Sequence, residues 1–91
     1  KHYSPRTPAV LAENLIRVYT RLLQLKRERK RGGVIILSPL AEVDTPGWWR
    51  LMPSDPEAYA AGLYQVLHEC DEAGLDEVII QLPPDTSEWA A

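Results

Sequence analysis

Val34-Ile35-Ile36-Leu37-Ser38 is an unbroken, mostly β-branched run set between Gly32-Gly33 and Pro39. A second run of the same kind, Asp76 to Leu82 around Val78-Ile79-Ile80, stops at Pro83-Pro84. Runs apolar on both faces suit strands of a parallel sheet covered on each side. The flanking segments change period. Leu15, Val18, Tyr19, Leu22 and Leu25, with Ile16 and Leu23 widening the stripe, follow helical spacing, and Gly32-Gly33 is expected to close that helix. Ser54-Asp55-Pro56-Glu57 is a helix start with Ser54 and Glu57 at capping-box spacing and Pro56 tolerated in the first turn. Tyr59, Leu63, Tyr64, Leu67 and Cys70 continue as a helical stripe that Gly74 stops. Ala9 to Ala12 reads as a first or edge strand, Asp44-Thr45-Pro46-Gly47 as a turn, and Trp48 to Met52 as a short strand. Residues 85–89 open a helix that the sequence does not complete, which predicts a tail continuing past Ala91. Strands alternating with helices of this length give a small Rossmann-like three-layer α/β sandwich, its mostly parallel sheet covered by helices.

Length and charge limit what such a sandwich can do. The chain has 91 residues and a mass of 10.3 kDa, 45% apolar and 25% charged. A chain this size buries roughly 64% of its unfolded surface, enough for one modest core and too little for a two-domain enzyme with its own cleft. The formal charge of −3 hides an uneven split. Residues 1–31 hold nine of the ten Lys and Arg with only Glu13 and Glu28, a net +7; residues 32–91 hold Arg50 against eleven acids, a net −10. Cys70 is the single cysteine, so no intrachain disulfide forms. No apolar stretch nears the ~20 residues of a membrane helix. A cytoplasmic domain without a membrane partner is the expectation.

Few residue sets carry chemistry. None of the five glycines lies in a phosphate-cradling motif between a strand and a helix. His2, His68 and Cys70 are too few and too scattered for a structural metal site. His68 and Cys70 point ~200° apart on a helix, which disfavours a nucleophile–base pair; Cys70 reads as a core residue and His68 as a half-exposed surface one. Glu69, Asp71, Glu72, Asp76 and Glu77 crowd the end of the second helix; a solvated helix end and loop is favoured over a general acid/base set, and like charge at the negative end of the dipole points to an interaction surface. Trp48 and Trp49 are adjacent, so a strand turns one to the core and one outward. Lys26, Arg27, Arg29, Lys30 and Arg31 form a basic run that either complements a helix dipole or contacts a nucleic acid or partner protein.

Both ends of the sequence resemble one family. Lys1-His2-Tyr3-Ser4-Pro5-Arg6-Thr7-Pro8 is similar to the linker of the two-domain threonylcarbamoyl-AMP synthases, a basic residue followed by His-Tyr-x-Pro-x-x-Pro. Asp55 to Ala60, Leu63 to Leu67, Asp71 to Asp76 and Pro83-Pro84-Asp85-Thr86-Ser87-Glu88-Trp89 resemble the helix, turn, strand and tail of that family's C-terminal domain. The resemblance implies a linker over residues 1–8 and an accessory α/β domain over 9–91, in a parent whose YrdC-type catalytic domain lies elsewhere. That parent would make threonylcarbamoyl-AMP from L-threonine, bicarbonate and ATP for threonylcarbamoyladenosine modification of tRNA. ATP and magnesium sites would belong to the catalytic domain, and no cofactor or catalytic residue is carried over to this sequence. His2, Tyr3 and Pro5 are the residues the resemblance places by the substrate cleft. Two other readings stand beside it: a docking module for tRNA or another tRNA-modification protein through residues 26–31, and an independent small-ligand-binding α/β domain.

Overall fold

The structure is a computed structural model that describes residues 4–37 and 47–83. The elements run β1 (Ala9–Ala12), α1 (Leu15–Arg27), β2 (Gly32–Ile36), β3 (Trp48–Leu51), α2 (Pro56–Ala73) and β4 (Glu77–Gln81). Among the described residues the strands form one sheet in the order β1-β4-β2-β3, every neighbouring pair parallel. The two β-branched runs are the central strands, as their two-sided apolar character requires, and the shorter β1 and β3 are the edges. The expected turn at residues 44–46 and the expected helix opening at 85–89 lie outside the described residues.

Alternation along the central strands divides the core into two layers. Val34, Ile36 and Ile79 face α1 and pack with Ala12, Val18 and Leu25, bordered by Leu15 and Leu22. Ile35, Val78 and Ile80 face α2 and pack with Met52, Cys70 and Leu75. A helix on each face of a parallel sheet is the three-layer α/β sandwich expected from the pattern.

Three local readings are corrected. Gly32-Gly33 do not end α1, and of the basic run only Lys26 and Arg27 lie in its last turn. The helix stops at Arg27, and a Schellman turn closes it, with Lys30 N–H donating to Leu25 O (2.9 Å) and Arg29 N–H to Lys26 O (3.0 Å). The left-handed residue of that turn is Arg29 (φ 60°), where glycine is the usual occupant. Gly32 and Gly33 instead begin β2, because a Cβ on Gly33 would sit 2.5 Å from Leu75 Cδ1 and 2.8 Å from Trp48 Cε3. Second, the N-cap of α2 is Asp55, whose carboxylate accepts from Ala58 N–H at 2.9 Å, so Ser54 is not the cap. Gly74 ends that helix in the left-handed region (φ 67°), as its position suggested. Third, Ile16, Leu23 and Tyr64 are exposed, not part of the buried stripes. Residues 15, 18, 22 and 25 already fill the width of sheet one helix can cover, and Ile16 and Leu23 lie ~100° further round.

Trp48 packs on the α2 side, while Trp49 is exposed on the opposite face of the edge strand. Arg50 lies over the Trp48 ring (4.4 Å to its centre) and donates to Glu69 at 2.9 Å, tying β3 to α2. No helix among the described residues is long and apolar enough to cross a membrane.

Candidate functional site

Parallel strands begin at one end of a sheet, and here that end also receives the carboxyl ends of both helices. Pro8, Arg31 and Asp76 precede β1, β2 and β4 there, and Gly47 precedes β3. The basic turn and the root of the N-terminal arm are therefore brought to the same edge of the domain, although more than twenty residues separate them in sequence.

The arm is tethered. Asp71, in the last turn of α2, accepts from Arg6 N–H (3.1 Å to each carboxylate oxygen) and from Thr7 N–H (2.8 Å). The Thr7 hydroxyl adds a fourth bond at 2.7 Å, and Thr7 is buried. Pro8 O then accepts from Val78 N–H (2.9 Å), which leads the chain into the ladder of β1 and β4. Pro5, immediately before this anchor, is exposed. His2 and Tyr3 lie outside the described residues.

The basic turn is partly built into the fold. Arg31 N–H donates to the Asp76 carboxylate (2.7 Å), and its guanidinium donates to Ala73 O (2.7 Å), satisfying a carbonyl at the end of α2. Lys30 pairs with Glu28 at 3.2 Å. Lys26, Arg27 and Arg29 are exposed and make no ion pair among the described residues. Lys26, Lys30 and Arg31 border an open groove of about 210 Å³ floored by Gly32, Gly47 and Trp48.

The acidic cluster is not one surface. Asp71 holds the arm, Asp76 holds Arg31, Glu69 holds Arg50, and the buried Glu77 receives a two-pronged bond from Arg21 at 2.7 and 2.8 Å. That pair, with Glu77 at the foot of a central strand, holds the Arg21 guanidinium above its ordinary pKa, chiefly through the hydrogen bond. Of these contacts, Arg21–Glu77 is the one ion pair that joins the two halves of the sequence among the described residues, where Asp71 and Asp76 meet backbone amides of the first half, not its cations. Sequence reasoning missed these pairs because each acid meets a cation or amide far away in the chain, with no local spacing to announce it.

Cys70 is fully buried, and burial first, then Asp71, pushes its thiol up to about 11. His68 is exposed two residues away on the same helix. A protonated, inaccessible sulfur is a packing group, not a nucleophile. At pH 8 the folded chain is expected to react with a maleimide only at its unfolding rate, and complete labelling within seconds under native conditions would reject this. The raised thiol stabilises the fold fully below pH ~9, the ordinary thiol value. That contribution is lost as pH rises toward 11, because the unfolded chain ionises first. Among the described residues no three His, Cys, Asp or Glu side chains come together to hold a metal ion.

The described residues form a small three-layer α/β domain with an arm anchored at the amino edge of its sheet. The chain belongs to the family described as "Threonylcarbamoyl-AMP synthase, C-terminal domain", whose model matches residues 1–91. No curated protein and no solved structure matches it.

Proposed function

We propose that this chain is the accessory domain of an L-threonylcarbamoyladenylate synthase and that it presents residues 1–5 as a lid over the active site of a separate YrdC-type catalytic domain. The parent would join L-threonine, bicarbonate and ATP into threonylcarbamoyl-AMP in the cytoplasm and supply the threonylcarbamoyl group used to modify tRNA. ATP and magnesium are assigned to the catalytic domain, as the resemblance to the family implies.

The observation that carries this reading is the anchor at Asp71. Four hydrogen bonds fix the chain at Arg6 and Thr7, so the arm leaves the domain from a defined point in place of trailing from a frayed terminus. Pro5 and Pro8 narrow the backbone's freedom on both sides of that point, which lowers the entropy lost on closure. His2 and Tyr3 would then reach the cleft and help exclude water while a hydrolysable adenylate forms.

The test is made in the full-length synthase. Tyr3→Ala should slow adenylate formation roughly tenfold or more, as expected when a closing element loses its seat. Tyr3→Phe should keep most of the rate if the aromatic ring alone is needed to exclude water. A Tyr3→Ala enzyme with the parent rate would end the lid reading.

A further inference from the structure

We infer that the turn between α1 and β2 is a docking site for the phosphodiester backbone of RNA, with Arg29 at its centre. This deepens the tRNA-modification reading above and rests on it for the choice of RNA over other polyanions.

Favourable interaction with a helix dipole covers only part of the basic run. Because α1 ends at Arg27, that interaction accounts for Lys26 and Arg27 and falls away beyond the last turn. Residues 26–31 carry five cations; against them stand Glu28, the Asp76 carboxylate on Arg31 N–H and about −0.5 of a charge from the carboxyl end of each helix, so a local positive excess of about 2 remains. That excess sits on a chain whose net charge is −3, so it is not a sample of a generally basic surface. Outside the run, Arg21 and Arg50 are used structurally, on Glu77 and Glu69, and within it the Arg31 guanidinium is held by Ala73 O.

The second observation is backbone strain. Arg29 occupies the left-handed position of the Schellman turn at φ 60°, where a residue with a Cβ is disfavoured and glycine is the common choice. The side chain that incurs this strain makes no hydrogen bond or ion pair within the described residues and is exposed. A strained residue whose side chain finds no partner among the described residues is a candidate for ligand contact.

Geometry favours a polyphosphate strand over a single phosphate. Lys26, Lys30 and Arg31 line an open groove, Arg27 and Arg29 are exposed in the same turn, and both helices bring their carboxyl ends to this edge, so neither offers the amide-rich amino end that holds isolated phosphates. Arg27 and Arg29 supply planar forks suited to paired phosphate oxygens.

Binding of a fluorescent unmodified tRNA transcript by the whole chain, measured at several salt concentrations, tests the proposal. Arg29→Gly should raise Tm by about 4 °C, since it relieves the strained turn. It should also weaken binding about fivefold and flatten the slope of log K against log salt by about 0.9, one phosphate contact. Arg29→Lys should keep the slope. An unchanged slope in Arg29→Gly, a Tm that falls, or displacement of the transcript by polyglutamate at equal charge would each overturn it, the last in favour of an acidic protein partner. Adenylate formation is not read in this assay, so failure of the lid reading and failure of the docking site are distinguishable.

Discussion

Replacing Asp71 with alanine is expected to lower the Tm of the chain by about 10–15 °C, a loss of about 2–3 kcal/mol for a domain of this size. The substitution leaves two amides and the hydroxyl of buried Thr7 without their acceptor. Hydrogen bonds to a charged acceptor are worth about 1.5–3 kcal/mol each, but they share one carboxylate and the Arg6 amide can turn to water, so the sum is far from additive. One effect opposes the loss. Asp71 lies in the last turn of α2, where a negative charge meets the negative end of the dipole, and its removal returns about 0.3–1 kcal/mol. The anchoring bonds outweigh it. Thr7→Val, which removes only the 2.7 Å hydroxyl bond, should cost about 1 kcal/mol. Asp71→Asn keeps one acceptor oxygen and should fall between them. Hydrogen exchange at the amides of Arg6 and Thr7 should accelerate to the rate of exposed chain in Asp71→Ala while the central strands stay protected. A Tm within 2 °C of the parent would mean that the arm is not held by this carboxylate. In the full-length synthase the same variant connects the anchor to the lid: if residues 1–5 act from a fixed root, loosening it should raise KM and lower kcat, whereas a role confined to stability would leave both unchanged below the melting range.

What the sequence disclosed and what it concealed divide along physical lines. The central strands were legible because β-branched residues apolar on both faces have few other places to go, and Val34 to Ile36 and Val78 to Ile80 fill those places. The limits of α2 were legible because Pro56 and Gly74 act through their own backbone dihedrals. Gly32-Gly33 misled for a related reason. Glycine signals freedom from a Cβ without saying whether a left-handed turn or a close neighbour demands it, and here Trp48 and Leu75 do. The left-handed turn itself fell to Arg29, which carries no such local signal. The resemblance at the two ends of the chain led to the family, yet the anchor of the arm could not be read in advance, since Thr7 and Asp71 lie 64 residues apart. Ion pairs and tethers of that span depend on the topology that brings them together, and no spacing rule reaches them.

The same close neighbours make Gly33→Ala the other large effect. The new methyl would enter 2.5 Å from Leu75 Cδ1 and 2.8 Å from Trp48 Cε3, both well inside contact distance. Leu75 is buried and Gly33 lies in a central strand paired on both sides, so neither the backbone nor the neighbour can withdraw freely. Overpacking of this kind costs about 1–3 kcal/mol, against a gain of about 0.5–1 kcal/mol from reduced backbone entropy in the unfolded chain. The expected net is a loss of about 1 kcal/mol, or roughly 4–8 °C in Tm. The alternative, in which the glycine pair ends a helix, also predicts a loss, so the single variant does not separate them. A double-mutant cycle with Leu75→Ala does. Leu75→Ala alone opens a cavity and should cost about 2–4 kcal/mol. In the strand arrangement the methyl at position 33 moves into that space, and the double variant should be more stable than the sum of the two losses by at least 1 kcal/mol. A helix-terminating glycine has no contact with Leu75, and its cycle would close to zero. Shortening Leu75 thus tests whether Gly33 is glycine for the sake of its neighbour, which is the condition that lets β2 lie against β3 and carry the basic turn to the edge where the arm departs.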